Sequence, residues 1–427
     1  MPFNLDLYPY LKEILNKVYA NHLVVKGTVD GTHDSNWIKE YELFYEKQPN
    51  AVPYVMRVLF KVNKKRGEKA GFSNIRPITD GSEVSETFMI PPKDFSTDKE
   101  VYIKCLDVYD VYGERVECVP YIMPETIFGM CIHASIWICL KILERRGRMI
   151  DKALCIPEIQ RLAKGSPYSD KEGLKFVQTA RLLRMCRANA FYVINKEPPQ
   201  LTDDQMLMEL YAYVESRLPV IVGVDVADLQ WWNTNTHGYH SIVAIGHTME
   251  KNKINGFVFH DESALPYQMM TKDELLMGWH VPHRTVREML VAVPPEVSLP
   301  FHEVYHQFEE LILVLHQKNA ISQNIQNLVI RPMIRSSAEF FIEVRLGTLL
   351  RALRESDWPP YIWVFYLYER DVDRKDAKNI KGFFVRDATA RTDLRFFYFR
   401  EEERAIYQVK GDQVYSIHEG QTRRKKL

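Results

Sequence analysis

The sequence predicts an α+β protein, in which a central domain of helices followed by antiparallel strands is flanked by β-rich N- and C-terminal domains. The middle of the chain places helical stretches before residue 217 and short apolar stretches after residue 218, an order typical of α+β domains. Both ends instead contain short strand-like stretches parted by turn residues. The 427 residues suffice for two to three domains of about 100–200 residues each. We therefore expect domains at residues 1–100, 101–295 and 296–427.

The predicted elements follow from the spacing of apolar residues along the chain. Apolar positions three to four residues apart predict helices, and short β-branched or aromatic runs bounded by turn residues predict strands. The predicted helices span 7–18, 131–147, 155–164, 171–187, 202–217 and 301–318. The predicted strands span 22–29, 37–46, 54–62, 101–111, 219–226, 239–247, 256–262, 339–346, 361–370, 382–388 and 395–401.

Composition excludes several classes of function. Lys plus Arg and Asp plus Glu are equal at 56 each, so no net field attracts nucleic acid or an anionic membrane. We expect neither of these partners. The six cysteines form no CxxC pair, which favours free thiols in a reducing compartment. The N-terminus lacks the apolar core of a signal peptide, and no run reaches the ~20 apolar residues that span a bilayer. We therefore expect a cytoplasmic protein; an effector exported by a signal-less route would share these features.

Cys131 is the first candidate catalytic residue, as a nucleophile. It stands at the start of a predicted helix, directly after Gly129 and Met130. The positive end of a helix dipole favours the thiolate, which is the reactive form of cysteine. Free backbone N–H groups at the same helix end could bind an oxyanion. Because cysteine is also among the most buried residues, position alone leaves a purely structural role open.

His240 and Asp261 supply the partners that a nucleophilic cysteine needs. His240 opens the predicted strand at 239–247, and Asp261 follows the apolar run of the next strand. If the two strands form a hairpin, the end of the second lies near the start of the first. The carboxylate then orients the imidazole, and the imidazole takes the thiol proton. His237 is a rival base, but it lies in a polar loop where we expect solvent exposure.

The order and placement of these residues resemble the papain-like cysteine peptidase superfamily, in which a helix-borne Cys faces a sheet-borne His and Asn or Asp. The local sequence around these residues most resembles that of the bacteriocin-leader-processing branch. Four pieces carry this likeness: Cys131 followed by small residues at 134–135, His240 followed by apolar residues and Gly246, Asp261 preceded by His260, and the Pro-containing stretch at 217–225 before the His strand. The resemblance covers roughly residues 120–290. It implies a papain-like fold for the central domain, and acyl transfer through an acyl-thioester on a protein or peptide substrate.

The chain departs from that branch before the cysteine. The family usually has a Gln there whose amide completes the oxyanion hole, but no Gln lies between Gln48 and Cys131. Glu125 and Thr126 occupy this region, and Thr126 or backbone N–H groups must then stabilise the oxyanion. Losing one such donor typically costs ~10²–10³ in rate. Trp231 and Trp232 precede His240 and are candidates for lining the substrate cleft.

A metal motif competes with this interpretation. His302, Glu303 and His306 match the HExxH pattern of zinc metalloproteases, which puts two imidazoles on one face of a helix. The buried stripe of that helix is formed by other residues, so we expect a solvated face. His280 and His283 also have a spacing that a metal could use. We nevertheless expect no metal and no cofactor.

The sequence therefore predicts a cysteine peptidase or related thiol acyl-hydrolase that acts on a peptide or isopeptide bond. The triad would be Cys131, His240 and Asp261. Two alternatives stay open: a catalytically inactive binding protein of the same fold, and a zinc metalloprotease that uses His302 and His306.

Overall fold

A computed structural model of the chain contains helices and antiparallel sheets, which confirms the predicted α+β class. It describes residues 38–44, 55–61, 69–75, 86–91, 100–111, 114–122, 131–146, 150, 154, 156–164, 174–195, 201–229, 231, 237–251, 253–262, 266–281, 286–317, 328–343, 358–369, 379–399, 405–410, 413–418 and 425–426. The helix predicted at 7–18 and the strand predicted at 22–29 lie outside these residues. The chain divides into two compact units, Met1–Leu201 with Arg217–Val293, and Thr202–Ser216 with Pro294–Leu427.

One sheet of the first unit has the strand order β1-β2-β3-β4-β7-β6. Its strands are β1 (Ile38–Phe44), β2 (Val55–Lys61), β3 (Lys69–Ile75), β4 (Glu86–Met89), β6 (Asp107–Val111) and β7 (Glu114–Tyr121). The strands predicted at 37–46 and 54–62 are confirmed as β1 and β2. β7 pairs with β4, so this sheet joins residues on both sides of position 100. The predicted boundary at that position stays a prediction.

The second sheet of the first unit has the order β12-β11-β10-β9-β13-β8, with β5 paired to β10. Its strands are β5 (Glu100–Ile103), β8 (Asn189–Asn195), β9 (Val220–Asp225), β10 (Tyr239–Glu250), β11 (Lys253–His260), β12 (Gln268–Thr271) and β13 (Arg287–Val293). Every residue of β9 is buried, because β9 lies between β10 and β13 in the sheet and the helix Cys131–Arg145 packs against it. The helices of this unit are α1 (Cys131–Arg145), α2 (Ile156–Lys164), α3 (Phe176–Met185) and α5 (Lys272–Gly278).

Helix α1 is the central helix of this unit. Ten of its fifteen residues are buried, which makes it a core helix rather than a surface one. It packs against β10 and β7. One turn after Cys131, the hydroxyl of Ser135 lies 3.3 Å from that of Ser241 in β10. This contact of two small buried side chains brings the start of the helix close to the start of the strand.

The second unit consists of helices on a seven-stranded antiparallel sheet with the order β14-β15-β16-β17-β18-β19-β20. The strands are β14 (Val329–Ser336), β15 (Tyr361–Tyr368), β16 (Ile380–Asp387), β17 (Arg395–Phe399), β18 (Ala405–Lys410), β19 (Gln413–His418) and β20 (Lys425–Lys426). The helices are α4 (Asp203–Glu215), α6 (Phe301–Gln317) and α7 (Ser337–Glu343). Thr202 caps α4 by accepting the N–H of Gln205, as its sequence predicts.

The prediction of a strand at 339–346 is wrong for the residues described there. Residues 337–343 form α7 instead. Its first turn is capped, because Ser336 Oγ accepts the N–H of Glu339 while the Glu339 carboxylate accepts the N–H of Ser336. The aromatic pattern of this stretch misled the prediction, since Phe340 is buried against the sheet from a helix. A reciprocal cap of this kind outweighs β-propensity over so short a segment.

In the described part of the chain, no helix combines the length and the apolar character that a membrane crossing requires. The five described cysteines, Cys105, Cys118, Cys131, Cys139 and Cys186, are free thiols.

Candidate active site

Cys131 is the first residue of α1 and is partly exposed, whereas the other described cysteines are buried. Burial raises the pKa of the Cys105 thiol to about 12 and that of the Cys186 thiol to about 11. Those two thiols are therefore neutral near pH 7. Cys131 combines solvent access with a helix N-terminus, where backbone N–H groups have no partner within the helix.

The predicted hairpin of β10 and β11 is present, and it brings His240 and Asp261 together. Val243 pairs with His260 in an antiparallel register, so the end of β11 returns to the start of β10. His240 Nε2 lies 2.9 Å from Asp261 Oδ1, and both side chains are almost completely buried. The short distance and the burial give the pair the geometry of a charge-assisted hydrogen bond.

Asp261 is held from two further directions. The indole N–H of Trp231 donates to Asp261 Oδ2 at 2.7 Å, so each carboxylate oxygen receives one donor. The hydroxyl of Tyr121, at the end of β7, donates to the backbone carbonyl of Asp261 at 3.1 Å. Trp231, which the sequence suggested for the substrate cleft, thus contacts the acid of the candidate triad.

Glu262 is a fourth member of the site that the sequence analysis missed. It is buried, and its Oε1 lies 3.6 Å from His240 Nε2. The Sγ of Cys131, a ring nitrogen of His240 and a carboxylate oxygen of Glu262 all lie within 4.8 Å of one another. The predicted return of the hairpin selects the one acid that ends the second strand, Asp261, and gives no reason to single out the residue after it.

The charge state of His240 follows from these neighbours. Burial alone lowers the pKa of His240, but the carboxylates of Glu262 and Asp261 and a hydrogen bond with Cys131 raise it well above 6.5. The ring is therefore an imidazolium near pH 7. Because the pKa of His240 is higher in the folded state, its protonation contributes to the free energy of unfolding. This contribution is full below pH ~6.5 and is lost as the pH rises through the raised pKa of the folded state.

Replacing Glu262 with glutamine should lower the pKa of His240, because the substitution removes the carboxylate that raises this pKa most. An NMR titration of the His240 ring protons measures this shift directly. The matched control is Glu209→Gln, which removes the carboxylate that raises the pKa of His302. That control should move the His302 titration and leave His240 unchanged. A His240 pKa that does not fall in Glu262→Gln would show that Glu262 does not raise it.

Trp231 and Asp261 should be energetically coupled, because each oxygen of the aspartate accepts a donor, whereas asparagine replaces one of these oxygens with an N–H₂ donor. In Asp261→Asn, the new amide N–H₂ faces either the Trp231 indole N–H or the His240 ring. In a Trp231→Phe background the indole N–H is absent, so the amide N–H₂ can face position 231 without opposing another donor. We expect a coupling energy of about 0.5–3 kcal/mol from urea unfolding of the four proteins in the cycle. Additive effects, within about 0.5 kcal/mol, would show that the two contacts are independent.

Two tyrosines share the carboxylate of Glu288, and one of them, Tyr239, lies near enough to Cys131 for the two groups to interact. The hydroxyls of Tyr239 and Tyr192 each donate to a different oxygen of Glu288 at 2.8 Å. Burial raises the pKa of Tyr239, as do the neighbouring charges of Glu288 and Cys131. The Tyr239 ring lies over Gly223, where an added Cβ would come within 2.2 Å of the Tyr239 hydroxyl oxygen. A side chain at position 223 would therefore displace the Tyr239 ring.

Comparison of the sequence with family models and curated proteins gives no relative whose function could explain this geometry. The chain matches no protein-family model, and a search of curated proteins finds no match. What the site can do is therefore argued from its own residues. A partly exposed sulfur, a charged imidazole and an orienting carboxylate can perform nucleophilic acyl transfer. The same sulfur and imidazole, together with the Glu262 carboxylate, are also ligand types that a metal ion accepts.

Three of the predicted site residues stay predictions, because Glu125, Thr126 and Trp232 lie outside the described residues. The stretch between β7 and α1 that contains Glu125 and Thr126 is where the sequence places the oxyanion donors.

His302 and His306 occupy exposed positions on α6. His302 Nδ1 lies 3.2 Å from Glu209 Oε1, and His306 Nε2 lies 3.6 Å from Glu310 Oε1. Within the described residues, two groups of three His, Cys, Asp or Glu ligand atoms come together, and neither contains His302 or His306. The first is Cys131, His240 and Glu262, and the second is Asp225, Asp228 and His280.

Proposed function

We propose that this chain is a papain-like cysteine hydrolase that cleaves a peptide or isopeptide bond in a protein or peptide substrate. The observation that carries the proposal is the convergence of Cys131, His240 and Asp261 from a helix start and a hairpin. The free thiols of the described cysteines suit a reducing compartment such as the cytoplasm.

The proposed reaction begins with the thiolate of Cys131 paired to the imidazolium of His240. Because Asp261 engages Nε2 of the ring, Nδ1 is the nitrogen that serves the sulfur and the leaving group. The thiolate attacks the substrate carbonyl carbon, and the imidazolium gives its proton to the leaving amine as the C–N bond breaks. The neutral imidazole then takes a proton from water, which attacks the acyl-thioester and releases the acid and the thiolate.

Each remaining residue of the site has an assigned role. Glu262 keeps the imidazolium charged, and Trp231 keeps the Asp261 carboxylate in place. Tyr239, which lies near Cys131, and Tyr192, which shares Glu288 with it, would line the substrate side of the nucleophile. Thr126 or backbone N–H groups at the start of α1 would have to stabilise the oxyanion in place of the usual Gln. With one such donor missing, the rate should be lower by ~10²–10³ than in enzymes with a full oxyanion hole.

An activated ester tests this proposal without knowledge of the natural substrate. Incubation with p-nitrophenyl acetate should produce a transient acetyl adduct on Cys131, detected by intact-mass and peptide mass spectrometry, and the adduct should then hydrolyse. His240→Ala should slow formation of the adduct by about 10²-fold or more. Absence of the adduct, or an equal rate in His240→Ala, would overturn the proposal.

A catalytically inactive binding protein is the second candidate, and the absence of the usual Gln before Cys131 is the observation that favours it. The pH dependence of iodoacetamide alkylation separates the two candidates. A catalytic thiolate–imidazolium pair predicts rapid alkylation of Cys131 at neutral pH, and slower alkylation in His240→Ala. An unpaired thiol predicts slow neutral alkylation at the same rate in both proteins.

A further inference from the structure

A second cluster of ligand-type side chains lies outside the triad. Asp225 is the last residue of β9, and Asp228 ends the short 3₁₀ turn Val226–Asp228 that follows it. His280 comes two residues after the end of α5. α5 packs on this turn, where a Cβ added at Gly278 would lie 3.5 Å from the Cβ of Asp228. The three side chains thus reach one place from two separate segments of the chain.

The ligand atoms of this cluster converge. A carboxylate oxygen of Asp225, a carboxylate oxygen of Asp228 and a ring nitrogen of His280 all lie within 4.8 Å of one another. His280 Nε2 is 2.9 Å from Asp228 Oδ2. In a tetrahedral zinc site with bonds of about 2.0–2.1 Å, neighbouring ligand atoms are roughly 3.3 Å apart. Small side-chain adjustments would therefore place all three atoms around one ion.

The surroundings hold these side chains in orientations that suit ligands. His280 Nδ1 lies 3.2 Å from the carbonyl oxygen of Val281, and a hydrogen bond of this kind leaves Nε2 as the metal-binding nitrogen. Asp225 Oδ1 accepts the backbone N–H groups of Ala227 and Gly238, and its Oδ2 lies 2.7 Å from His237 Nδ1. The carboxylate of Asp225 is thus fixed by three contacts before any ion arrives.

Charge also favours a cation at this place. Asp225 is completely buried, and Asp228 places a second carboxylate oxygen within 4.8 Å of its own. Two adjacent carboxylates repel each other unless a positive charge lies between them. A divalent ion would balance both charges.

We propose that Asp225, Asp228 and His280 bind a divalent transition-metal ion of the zinc class. His237 is a positioning residue that donates its Nδ1–H to Asp225. One nitrogen and two oxygens suit Zn²⁺, whereas Ca²⁺ and Mg²⁺ prefer oxygen ligands alone. Three protein ligands leave one coordination position for water or another small ligand.

The ion would link the start of the β9–β10 connection to the segment after α5. The same connection carries Trp231, whose indole donates to Asp261. Metal binding would therefore stabilise the connection that positions the acid of the triad. This consequence depends on the proposed function, but the metal site itself does not.

Isothermal titration calorimetry of the full-length Cys131→Ala protein with ZnCl₂, after removal of metal by a chelator, tests the site. Cys131→Ala removes the sulfur of the other ligand group, so any strong binding reports on the second cluster. We expect one equivalent of Zn²⁺ to bind in this background. Asp228→Asn and His280→Gln should each weaken binding by more than ~100-fold, and His237→Gln by about 10- to 100-fold. X-ray absorption of the zinc complex should show nitrogen and oxygen neighbours.

The variants and controls make the outcome decisive. Asp228 and His280 are partly exposed, so their substitution should leave the fold intact, which circular dichroism checks. His302→Gln, which alters another histidine paired with a carboxylate, should bind Zn²⁺ like its parent. Absence of zinc binding in Cys131→Ala, or unchanged binding in both Asp228→Asn and His280→Gln, would overturn the proposal. Either result leaves the acyl-transfer proposal untouched, because the measurement is made without the nucleophile.

Discussion

Replacing Cys131 with alanine should abolish both labelling by a thiol-directed electrophile and hydrolysis of an activated ester. Cys131 is the described cysteine that combines partial exposure with a charged imidazole nearby. Removing a nucleophile typically costs at least ~10³ in rate, because nothing else can form the covalent intermediate. The substitution removes a single sulfur atom from a partly exposed position, so the fold should persist. Electrophile labelling with peptide mapping, together with a thermal unfolding curve, measures both effects.

Cys186→Ala is the matched control for this experiment. Cys186 is buried, and burial raises the pKa of its thiol to about 11, so it should contribute little to labelling at neutral pH. The control protein should label and hydrolyse like the unmodified chain. Equal labelling of Cys131→Ala and the unmodified chain would remove Cys131 from the role of nucleophile.

Replacing Asp261 with alanine should reduce both stability and activity. Its side chain is fully buried and accepts hydrogen bonds from His240 and Trp231. Breaking a buried ion pair by removing one partner typically costs about 3–5 kcal/mol. Losing the group that orients a catalytic imidazole typically lowers the rate by about 10²–10⁴. Urea unfolding and ester hydrolysis, measured at a temperature where the variant is folded, give the two quantities.

Asp387→Ala separates the two effects. Asp387 is also a buried aspartate at the end of a strand, and its oxygens accept bonds from Thr389 and Thr392. Its loss should destabilise the second unit and leave ester hydrolysis by the folded protein unchanged. Hydrolysis that falls equally in both variants would show that Asp261 acts only through stability.

The hairpin of β10 and β11 could be predicted because it depends on local pattern. Two apolar runs separated by turn residues pair with each other whatever the rest of the chain does, and their register brings residue 261 back to residue 240. The start of α1 at Cys131 was predictable for the same reason, since apolar periodicity begins there. By contrast, the aromatic run at 339–346 has a strand-like pattern, and the Ser336–Glu339 cap that makes it helical is a local contact the sequence analysis did not weigh.

The sequence by itself determined the α+β class, the position of Cys131 at a helix start and the return of Asp261 toward His240. Each of these follows from residues within one element or two adjoining elements. Only the tertiary structure decided that Glu262 raises the pKa of His240, that Trp231 binds Asp261, and that His280 meets Asp225 and Asp228. These contacts join segments up to 55 residues apart (280 − 225). Which side chains meet there depends on the exact register of the β10–β11 hairpin, the path of the β9–β10 connection and the packing of α5, and no local periodicity encodes these.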